Sequence, residues 1–212
     1  MPNVTSNNQM NDCLLKAMRK LALHVGGGGG AKFEEVVKKE FTAVFKKFTN
    51  FQVVDTDQWK GLQANIDPNI VYMVLQPNGK NDWPDILFVW RSFRLSIEAK
   101  ASNNGGIVWN GGLPQSGGLY FYSRTGGKRA GIRGTTYFIG DDAISTAERD
   151  HLLRCHKALN RLAARYNSKM PPNSLWEYYP RAMYNEAALH WNWDKRSKLE
   201  NSAELFITNL NW

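Results

Sequence analysis

Residues 84–101 have the sequence PDILFVWRSFRLSIEAKA, in which a short connection separates two apolar runs, Asp85–Trp90 and Arg94–Ala101. β-Branched and aromatic residues are typical of strands, and so short a connection is typical of an antiparallel hairpin. Because residues two positions apart in a strand share a face, Glu98 and Lys100 project to the same side. The opposite face of that strand is apolar and consists of Leu95, Ile97 and Ala99. The segment therefore predicts a hairpin with one core-facing side and one charged side.

A second acidic residue lies on the first strand of this predicted hairpin. If the hairpin turns near Ser92, antiparallel pairing places Asp85 opposite Ala99. Asp85 then lies between Glu98 and Lys100, so two carboxylates and an ammonium group converge. Carboxylates suit Mg²⁺, which stabilises charge on phosphoryl oxygens and lowers the pKa of a bound water. A lysine beside them can orient the attacking water or stabilise the transition state, so this set of groups indicates phosphodiester hydrolysis.

The segment Lys32–Phe48 predicts the most regular helix of the chain, because its apolar residues recur at the helical period. These residues are Phe33, Val36, Val37, Phe41, Val44, Phe45 and Phe48. Glu34 and Glu40 fall on the flank of the apolar stripe, whereas Glu35 points to solvent. A carboxylate at the edge of a buried face is either paired with a cation or placed for chemistry, because leaving it unpaired is costly.

Shorter apolar runs extend the predicted sheet. They are rich in β-branched and aromatic residues and span Phe51–Val54, Ile70–Leu75, Leu119–Tyr122 and Thr135–Ile139. A capping-box pattern at Ser145–Glu148 begins a later helix, which is expected to pack on the sheet. The apolar residues on one face of that helix are Leu152, Leu153, Leu159, Leu162 and Tyr166. The predicted fold class is α/β, a central mixed β-sheet flanked by helices.

The whole chain of 212 residues is expected to form a single domain. Residues 1–31 are predicted to form a helix capped by Asn11 or Asp12, followed by a glycine-rich loop. Residues 32–166 form the predicted catalytic core, and residues 167–212 an aromatic-rich C-terminal extension.

Within the C-terminal extension the pattern predicts a short helix at Arg181–His190 and a last strand at Glu204–Thr208. Its aromatic residues are expected to pack in the core or in a lid rather than to stack on bases. They include Trp176, Tyr178, Tyr179, Trp191 and Trp193.

The composition favours a polyanionic partner. The chain carries 27 Lys and Arg against 19 Asp and Glu, which gives a formal net charge of +8. Nucleic acid is the commonest partner of such a protein, although heparin-like polymers and anionic membranes satisfy the same charge. The two cysteines, Cys13 and Cys155, form no zinc-binding pattern and predict no disulfide framework. No segment resembles a signal peptide or a membrane span, so we expect a soluble, cytoplasmic protein.

The segment from Pro84 to Lys100 resembles the motif of the PD-(D/E)XK nuclease superfamily. In it, Pro84-Asp85 is followed by twelve residues and then by Glu98-Ala99-Lys100. Phe33-Glu34 is similar to the helix that often adds an acidic residue to these sites. The resemblance implies a restriction-endonuclease-like fold, with Asp85, Glu98, Lys100 and Glu34 as catalytic residues and Asp85 and Glu98 as Mg²⁺ ligands.

Among the members of this superfamily, the chain looks most like type II restriction endonucleases. That likeness implies a type II site-specific deoxyribonuclease that cleaves double-stranded DNA. Such an enzyme acts as a homodimer or a monomer, and a cognate DNA methyltransferase acts on the same site.

Two loops are predicted to contact DNA. One is polar and glycine-rich and spans Trp109–Ser116, and the other is basic and spans Arg124–Arg133. Arginine reads guanine edges, glutamine and asparagine read adenine, and all of them also donate hydrogen bonds to phosphates. The candidate DNA-binding residues are Asn110, Gln115, Ser116, Arg124, Lys128, Arg129 and Arg133. The alternative is that the basic loop is a solvated hairpin tip.

Other functions fit parts of the same pattern. Repair, junction-resolving and RNA-directed nucleases share the catalytic residues and differ in how they hold the substrate. A non-catalytic basic module would bind nucleic acid through its loops alone. The charged residues of the hairpin could also form an ordinary ion pair on a solvated strand face, which contributes about 0–1 kcal/mol to stability.

Overall fold

The structure is a computed structural model that describes residues 2–24, 30–79, 82–102, 107–109, 112–124, 134–174, 177–180, 184–186 and 193–212. Over these residues the chain forms a six-stranded mixed sheet flanked by helices. The predicted α/β fold class, with its mixed sheet between helices, is therefore confirmed. Within the same residues no helix is both long enough and apolar enough to cross a membrane.

The helices and strands alternate irregularly along the chain. The helices are α1 (Asn7–Ala22), α2 (Gly30–Phe45), α3 (Thr56–Leu62), α4 (Gly140–Ala143), α5 (Thr146–Asn167) and α6 (Trp193–Thr208). The strands are β1 (Phe51–Val54), β2 (Val71–Leu75), β3 (Ile86–Trp90), β4 (Phe93–Ser102), β5 (Ile107–Trp109), β6 (Leu119–Arg124), β7 (Gly134–Ile139) and β8 (Tyr184–Glu186). The six-stranded sheet has the order β1-β2-β3-β4-β6-β7, and β5 pairs with β8 in a separate ribbon.

Strands β3 and β4 form the predicted antiparallel hairpin, but the register differs by one residue from the prediction. Ile86 pairs with Ile97, and Trp90 pairs with Phe93, so the connection contains only Arg91 and Ser92. The predicted pairing of Asp85 with Ala99 is therefore wrong. Arg91 adopts a φ of 53°, and a two-residue turn of this kind fixes the register of the strands that it joins.

The main core lies between one face of the sheet and helices α1, α2 and α6. Phe41 of α2 packs against Phe88 of β3 and Phe121 of β6, with ring centroids 5.3 and 5.7 Å apart. Ile97 on β4 is fully buried in the same core. The apolar stripe of α2 and the apolar face of the hairpin therefore meet, which holds α2 across the hairpin.

Helix α5 does not pack on the sheet as predicted. It begins at the predicted capping box of Ser145, yet Ala163 is the one residue of this helix that is buried. Leu159, Leu162 and Tyr166 are each about half exposed or more, at 54%, 49% and 62%. Its apolar spacing alone could not show whether another element covers that face.

The C-terminal predictions are also corrected. Residues 204–208 form the end of α6 rather than a strand, because Leu199, Ala203 and Ile207 recur at helical spacing and are buried. The predicted helix Arg181–His190 is wrong at Tyr184–Glu186, which form β8, and its other residues lie outside the described ranges.

Two further predictions, one near each end of the chain, differ from the structure. Helix α1 is capped by Ser6 rather than by Asn11 or Asp12. Tyr178 and Tyr179 are 67% and 80% exposed, so their predicted packing in the core is wrong, whereas their packing in a lid stays a prediction. The predicted packing of Trp176, Trp191 and Trp193 concerns side chains outside the described part.

The end of the chain is held by one buried amide. Asn11, 4% exposed, donates from Nδ2 to the carbonyl oxygens of Thr208 and Leu210, each at 3.2 Å. Its Oδ1 accepts a hydrogen bond of 2.6 Å from the indole Nε1 of Trp212. The Trp212 ring in turn packs edge-on against Phe93 of the hairpin at 4.8 Å. Asn11 thus connects α1 and α6 to the hairpin.

We expect Asn11→Ala to lower the free energy of unfolding by about 2–4 kcal/mol, because it leaves several buried polar groups without partners. Urea denaturation followed by tryptophan fluorescence measures the change. The matched control is Asn8→Ala, which removes an exposed asparagine from the same helix and should change stability by less than about 0.5 kcal/mol. Equal effects of the two substitutions would contradict this role of Asn11.

Candidate active site

The hairpin brings three charged side chains together at the start of β3. The backbone N–H of Asp85 donates to Glu98 Oε2 at 3.2 Å, and the N–H of Ala99 donates to Asp85 Oδ2 at 2.7 Å. The ammonium Nζ of Lys100 donates to Glu98 Oε1 at 2.6 Å. Despite the shifted register, Asp85, Glu98 and Lys100 thus meet as the sequence predicts.

These groups do not lie on a fully solvated surface. The side chains of Glu98 and Lys100 are only 10% and 21% exposed. Removing two charges from water offsets much of the attraction between them, so the pair adds little to stability by itself. The alternative of an ordinary ion pair on a solvated strand face does not describe this arrangement.

The surroundings of Asp85 disfavour the ionised form of its carboxyl group. Its pKa rises to about 6, first because the carboxyl group is buried and second because the negative charge of Glu98 lies close by. The hydrogen bond from Ala99 and the charge of Lys100 act in the opposite direction without cancelling the rise. A further positive charge beside Asp85 would therefore relieve the repulsion between the carboxylates.

Helix α2 adds Glu34 to the same region. Glu34 Oε1 accepts a 3.0 Å hydrogen bond from the side-chain amide of Gln76. Burial raises the pKa of Glu34, and the charge of Asp85 raises it further. Glu40, the other glutamate on the flank of the apolar stripe, instead forms a 2.6 Å ion pair with Lys20. The structure therefore distinguishes the two glutamates that the helical period left equivalent.

Sequence reasoning did not single out Gln76. Directly after β2 its backbone adopts a φ of 47°. Its N–H donates to the carbonyl oxygen of Asp85 at 2.8 Å, and its own carbonyl accepts from Thr56 Oγ1 at 2.7 Å. Gln76 thus links the segment before β3 to Glu34 on α2. A polar residue directly after an apolar strand is the only signal in the sequence.

Tyrosines of β6 extend the face that carries the charged groups. In the parallel pairing of β4 with β6, Glu98 is aligned with Tyr120 and Lys100 with Tyr122. Burial raises the pKa of Tyr120 to about 12, so its hydroxyl stays protonated at neutral pH. The backbone N–H of Gln115 donates to that hydroxyl at 2.8 Å. Tyr120 therefore connects the charged groups to the loop before β6.

The loop that carries Gln115 and Ser116 is held against α4. At Gly140 a Cβ atom would lie 2.0 Å from the carbonyl oxygen of Gln115, so only glycine fits there. The N–H of Gly117 donates to the carboxylate of Asp141 at 2.7 Å. Gln115 and Ser116 are exposed at this fixed position. The Gln115 side chain donates to the carbonyl of Leu113 at 3.2 Å.

The remaining DNA-binding candidates are less well placed. Arg124 ends β6, is partly buried and is aligned with Ser102 of β4, two positions beyond Lys100 along the same strand. Asn110, Lys128, Arg129 and Arg133 lie outside the described residues.

Asp85 and Glu98 are suitable ligands for a hard divalent cation. Within the described ranges no group of three or more His, Cys, Asp or Glu side chains is arranged around one position. Mg²⁺, however, binds through one or two carboxylates and keeps several waters, so a pair is sufficient. Asp85 Oδ2 accepts the Ala99 N–H, while Oδ1 accepts no hydrogen bond from the described residues. That oxygen and the raised pKa of Asp85 fit a cation-binding role.

Comparisons of the chain with protein-family models, with curated proteins and with solved structures found no match. Its function is therefore inferred from its residues and their geometry.

Proposed function

We propose that this protein is a Mg²⁺-dependent nuclease of the PD-(D/E)XK type, which cleaves double-stranded DNA at specific sites as type II restriction endonucleases do. The observation that carries the proposal is the contact of Asp85 with Glu98, and of Glu98 with Lys100, in a largely buried site. A glutamate-bearing helix, a hairpin and a further strand follow in the order that the resemblance implies, which supports a restriction-endonuclease-like fold.

The chemistry is attack of a water oxygen on phosphorus: a new P–O bond forms as one P–O ester bond breaks, the water loses a proton, and the released sugar oxygen takes up a proton and leaves as a hydroxyl group. Asp85 and Glu98 would hold Mg²⁺, which supplies Lewis-acid stabilisation of the charge on the phosphoryl oxygens. The ammonium of Lys100, fixed by Glu98 at 2.6 Å, orients the water or stabilises the negative transition state. Glu34 adds a third negative charge near Asp85, which favours cation binding.

Electrostatics favour this proposal over a non-catalytic basic module. A module that only binds nucleic acid gains from cations and has no use for carboxylates beside the bound phosphates. Asp85, Glu98 and Glu34 would repel a polyanion unless a cation lay between them. The formal net charge of +8 attracts nucleic acid to the molecule as a whole. Repair, junction-resolving and RNA-directed cleavage are alternatives within the same chemistry.

The loop residues Gln115 and Ser116 are our candidates for contacts with DNA, together with Arg124. Gln115 and Ser116 are exposed, and the hydrogen bond from Gln115 to Tyr120 holds their loop next to the charged face. A homodimer would address a two-fold symmetric site, whereas a monomer would cut one strand at a time. A DNA methyltransferase that modifies the same site would protect the host DNA.

In a cleavage assay with Mg²⁺ and unmethylated plasmid DNA, we expect discrete fragments from the wild type and at least about a 100-fold slower rate from Asp85→Asn and from Lys100→Met. The matched control is Asp82→Asn, which neutralises an exposed aspartate three residues away and should cut normally. Intact double-stranded DNA, single-stranded DNA and RNA after incubation with the wild type would show the proposal to be wrong.

The raised pKa of Asp85 gives a second prediction, without DNA. A carboxyl group whose pKa is raised in the folded state contributes to folding stability below its pKa in the unfolded chain, which is near 4. This stabilisation is lost as the pH rises through the folded-state pKa of about 6. In EDTA at pH 8, Asp85→Asn should therefore be more stable than the wild type by about 1–3 kcal/mol. At pH 4 the two proteins should unfold alike.

Urea titrations at both pH values measure this difference, and Asp82→Asn should show no gain at pH 8. Mg²⁺ should stabilise the wild type and leave Asp85→Asn unchanged, because a ligand stabilises only the state that binds it. A loss of stability in Asp85→Asn at pH 8 would contradict the repulsion described here.

The adjacent glutamates of α2 provide a third test. We expect Glu34→Gln to raise the Mg²⁺ concentration for half-maximal cleavage by about tenfold, because it removes a charge near Asp85 worth about 1.4 kcal/mol. Glu35→Gln removes the same charge from an exposed neighbour that contacts Lys38 at 3.4 Å and should have no such effect. Equal effects in a Mg²⁺ titration would mean that only the total charge matters.

A further inference from the structure

Helix α5 stands largely clear of the rest of the described chain. It contains 22 residues, begins at the capping box of Ser145 and Glu148, and buries only Ala163. Both of its acidic residues, Glu148 and Asp150, lie in its first two turns, where they interact favourably with the helix dipole. From residue 151 to residue 167 its sequence carries no negative charge.

Four cations form a stripe along this helix, which we call the α5 cationic stripe. Its members are Arg154, Lys157, Arg161 and Arg165, and all four are exposed. Side chains three or four positions apart lie on the same side of a helix, so these four follow one another along a length of about 16 Å. None of them forms an ion pair with a carboxylate of the described residues. Their charge is therefore available to an external anion.

The beginning of α5 lies close to the candidate active site. Tyr120, aligned with Glu98 in the sheet, accepts the hydrogen bond from Gln115, whose carbonyl in turn packs on Gly140 at the start of α4. The charge of Arg149, in the first turn of α5, influences the pKa of Tyr120, and so does the charge of Glu98. Helix α5 therefore starts close to the charged face.

We propose that the α5 cationic stripe binds the phosphate backbone of the nucleic acid whose phosphodiester bond lies at Asp85 and Glu98. The inference rests on the proposed function and extends it, because it assigns substrate binding to a helix outside the catalytic centre. A row of cations matches the regular charge of a nucleic-acid backbone, and each phosphate that it neutralises releases counterions. The contact is independent of base sequence and positions the substrate.

Three exposed apolar residues of α5 lie on a separate face, whereas Leu153, 49% exposed, lies at the flank of the stripe. Leu159, Leu162 and Tyr166 are centred about 130° from the cationic stripe around the helix axis, at 100° per residue. That second face could meet another copy of the chain or a membrane without involving the four cations. The cationic stripe itself has the charge and spacing of a phosphate-binding surface, so we assign it to nucleic acid.

The test compares two charge-matched variants in an Asp85→Asn background, which prevents cleavage during the binding measurement. The first variant replaces Arg154, Lys157, Arg161 and Arg165 with Gln. The second replaces the exposed lysines Lys16, Lys32, Lys39 and Lys46 of α1, α2 and the following turn with Gln. Each removes four positive charges from the formal net charge of +8, so only the position of the lost charge differs.

Fluorescence anisotropy with a labelled DNA duplex, repeated over a range of salt concentrations, gives the slope of log K against log salt. We expect the α5 variant to reduce the steepness of that slope by about 2–4, because it loses up to four phosphate contacts, and to bind at least about tenfold more weakly at low salt. The lysine variant should keep the wild-type slope. Because glutamine is a good helix former, both variants should retain the wild-type circular dichroism spectrum.

If the α5 variant does not fold, Arg161→Gln combined with Arg165→Gln should still reduce the steepness by about 1–2. Equal slopes for the α5 variant and the wild type would overturn the inference. So would a loss that appears only in binding to anionic phospholipid vesicles.

The outcome is separable from that of the proposed function. If the wild type cleaves DNA and the α5 variant keeps the wild-type salt slope, the proposed nuclease function is supported and the α5 cationic stripe is not a phosphate-binding surface. If the α5 variant has a less steep salt slope but the wild type cleaves no nucleic acid, the α5 cationic stripe is supported as a binding site and the proposed nuclease function is contradicted.

Discussion

The register of the β3–β4 hairpin is the constraint on which the site depends. Ile86 and Ile97 pair within the core, so Asp85 and Glu98 are the next positions along the two strands. A slip of one residue would exchange the faces of a strand and carry Glu98 and Lys100 into the apolar core. The two-residue connection allows no such slip, and burial of the isoleucines opposes it. The same alternation that fills the core therefore fixes the charged groups.

Packing in the core offsets the repulsion between the carboxylates of the candidate site. The Asp85 carboxylate is disfavoured in the folded state, as its pKa near 6 shows, and the buried pair of Glu98 and Lys100 adds little. The aromatic packing of Phe41 against Phe88 and Phe121 holds α2 on the hairpin and sets the position of Glu34. Gln76 connects Glu34 to the backbone of Asp85. Carboxylates held together against their repulsion are characteristic of functional sites.

Local periodicity predicted the elements that carry the site, and longer-range packing decided what it could not. The alternation of β4 and the helical stripe of α2 placed Glu98, Lys100 and Glu34 on the correct faces. The predicted register of the hairpin was wrong by one residue, because the register depends on a two-residue turn with a positive φ at Arg91. Gln76 escaped prediction since its role arises from contacts with distant segments.

The helices outside the hairpin show the same limit. The run Leu205-Phe206-Ile207 suggests a strand when taken alone, yet Leu199 and Ala203 continue its burial at helical spacing into α6. The apolar face of α5 was expected to be covered, and only tertiary structure could show that it is exposed. In both cases the local pattern was compatible with two structures.

The central claim is that the carboxylates of Asp85 and Glu98 hold a divalent cation at which a phosphodiester bond is hydrolysed. The most direct measurement is the single-turnover cleavage rate of end-labelled duplex DNA as Mg²⁺ is varied, for the wild type and for Glu98→Gln. The account predicts no cleavage without a divalent cation, a rate that saturates with Mg²⁺ in the wild type, and no measurable cleavage in Glu98→Gln. Cleavage in EDTA, or an unchanged rate in Glu98→Gln, would contradict it.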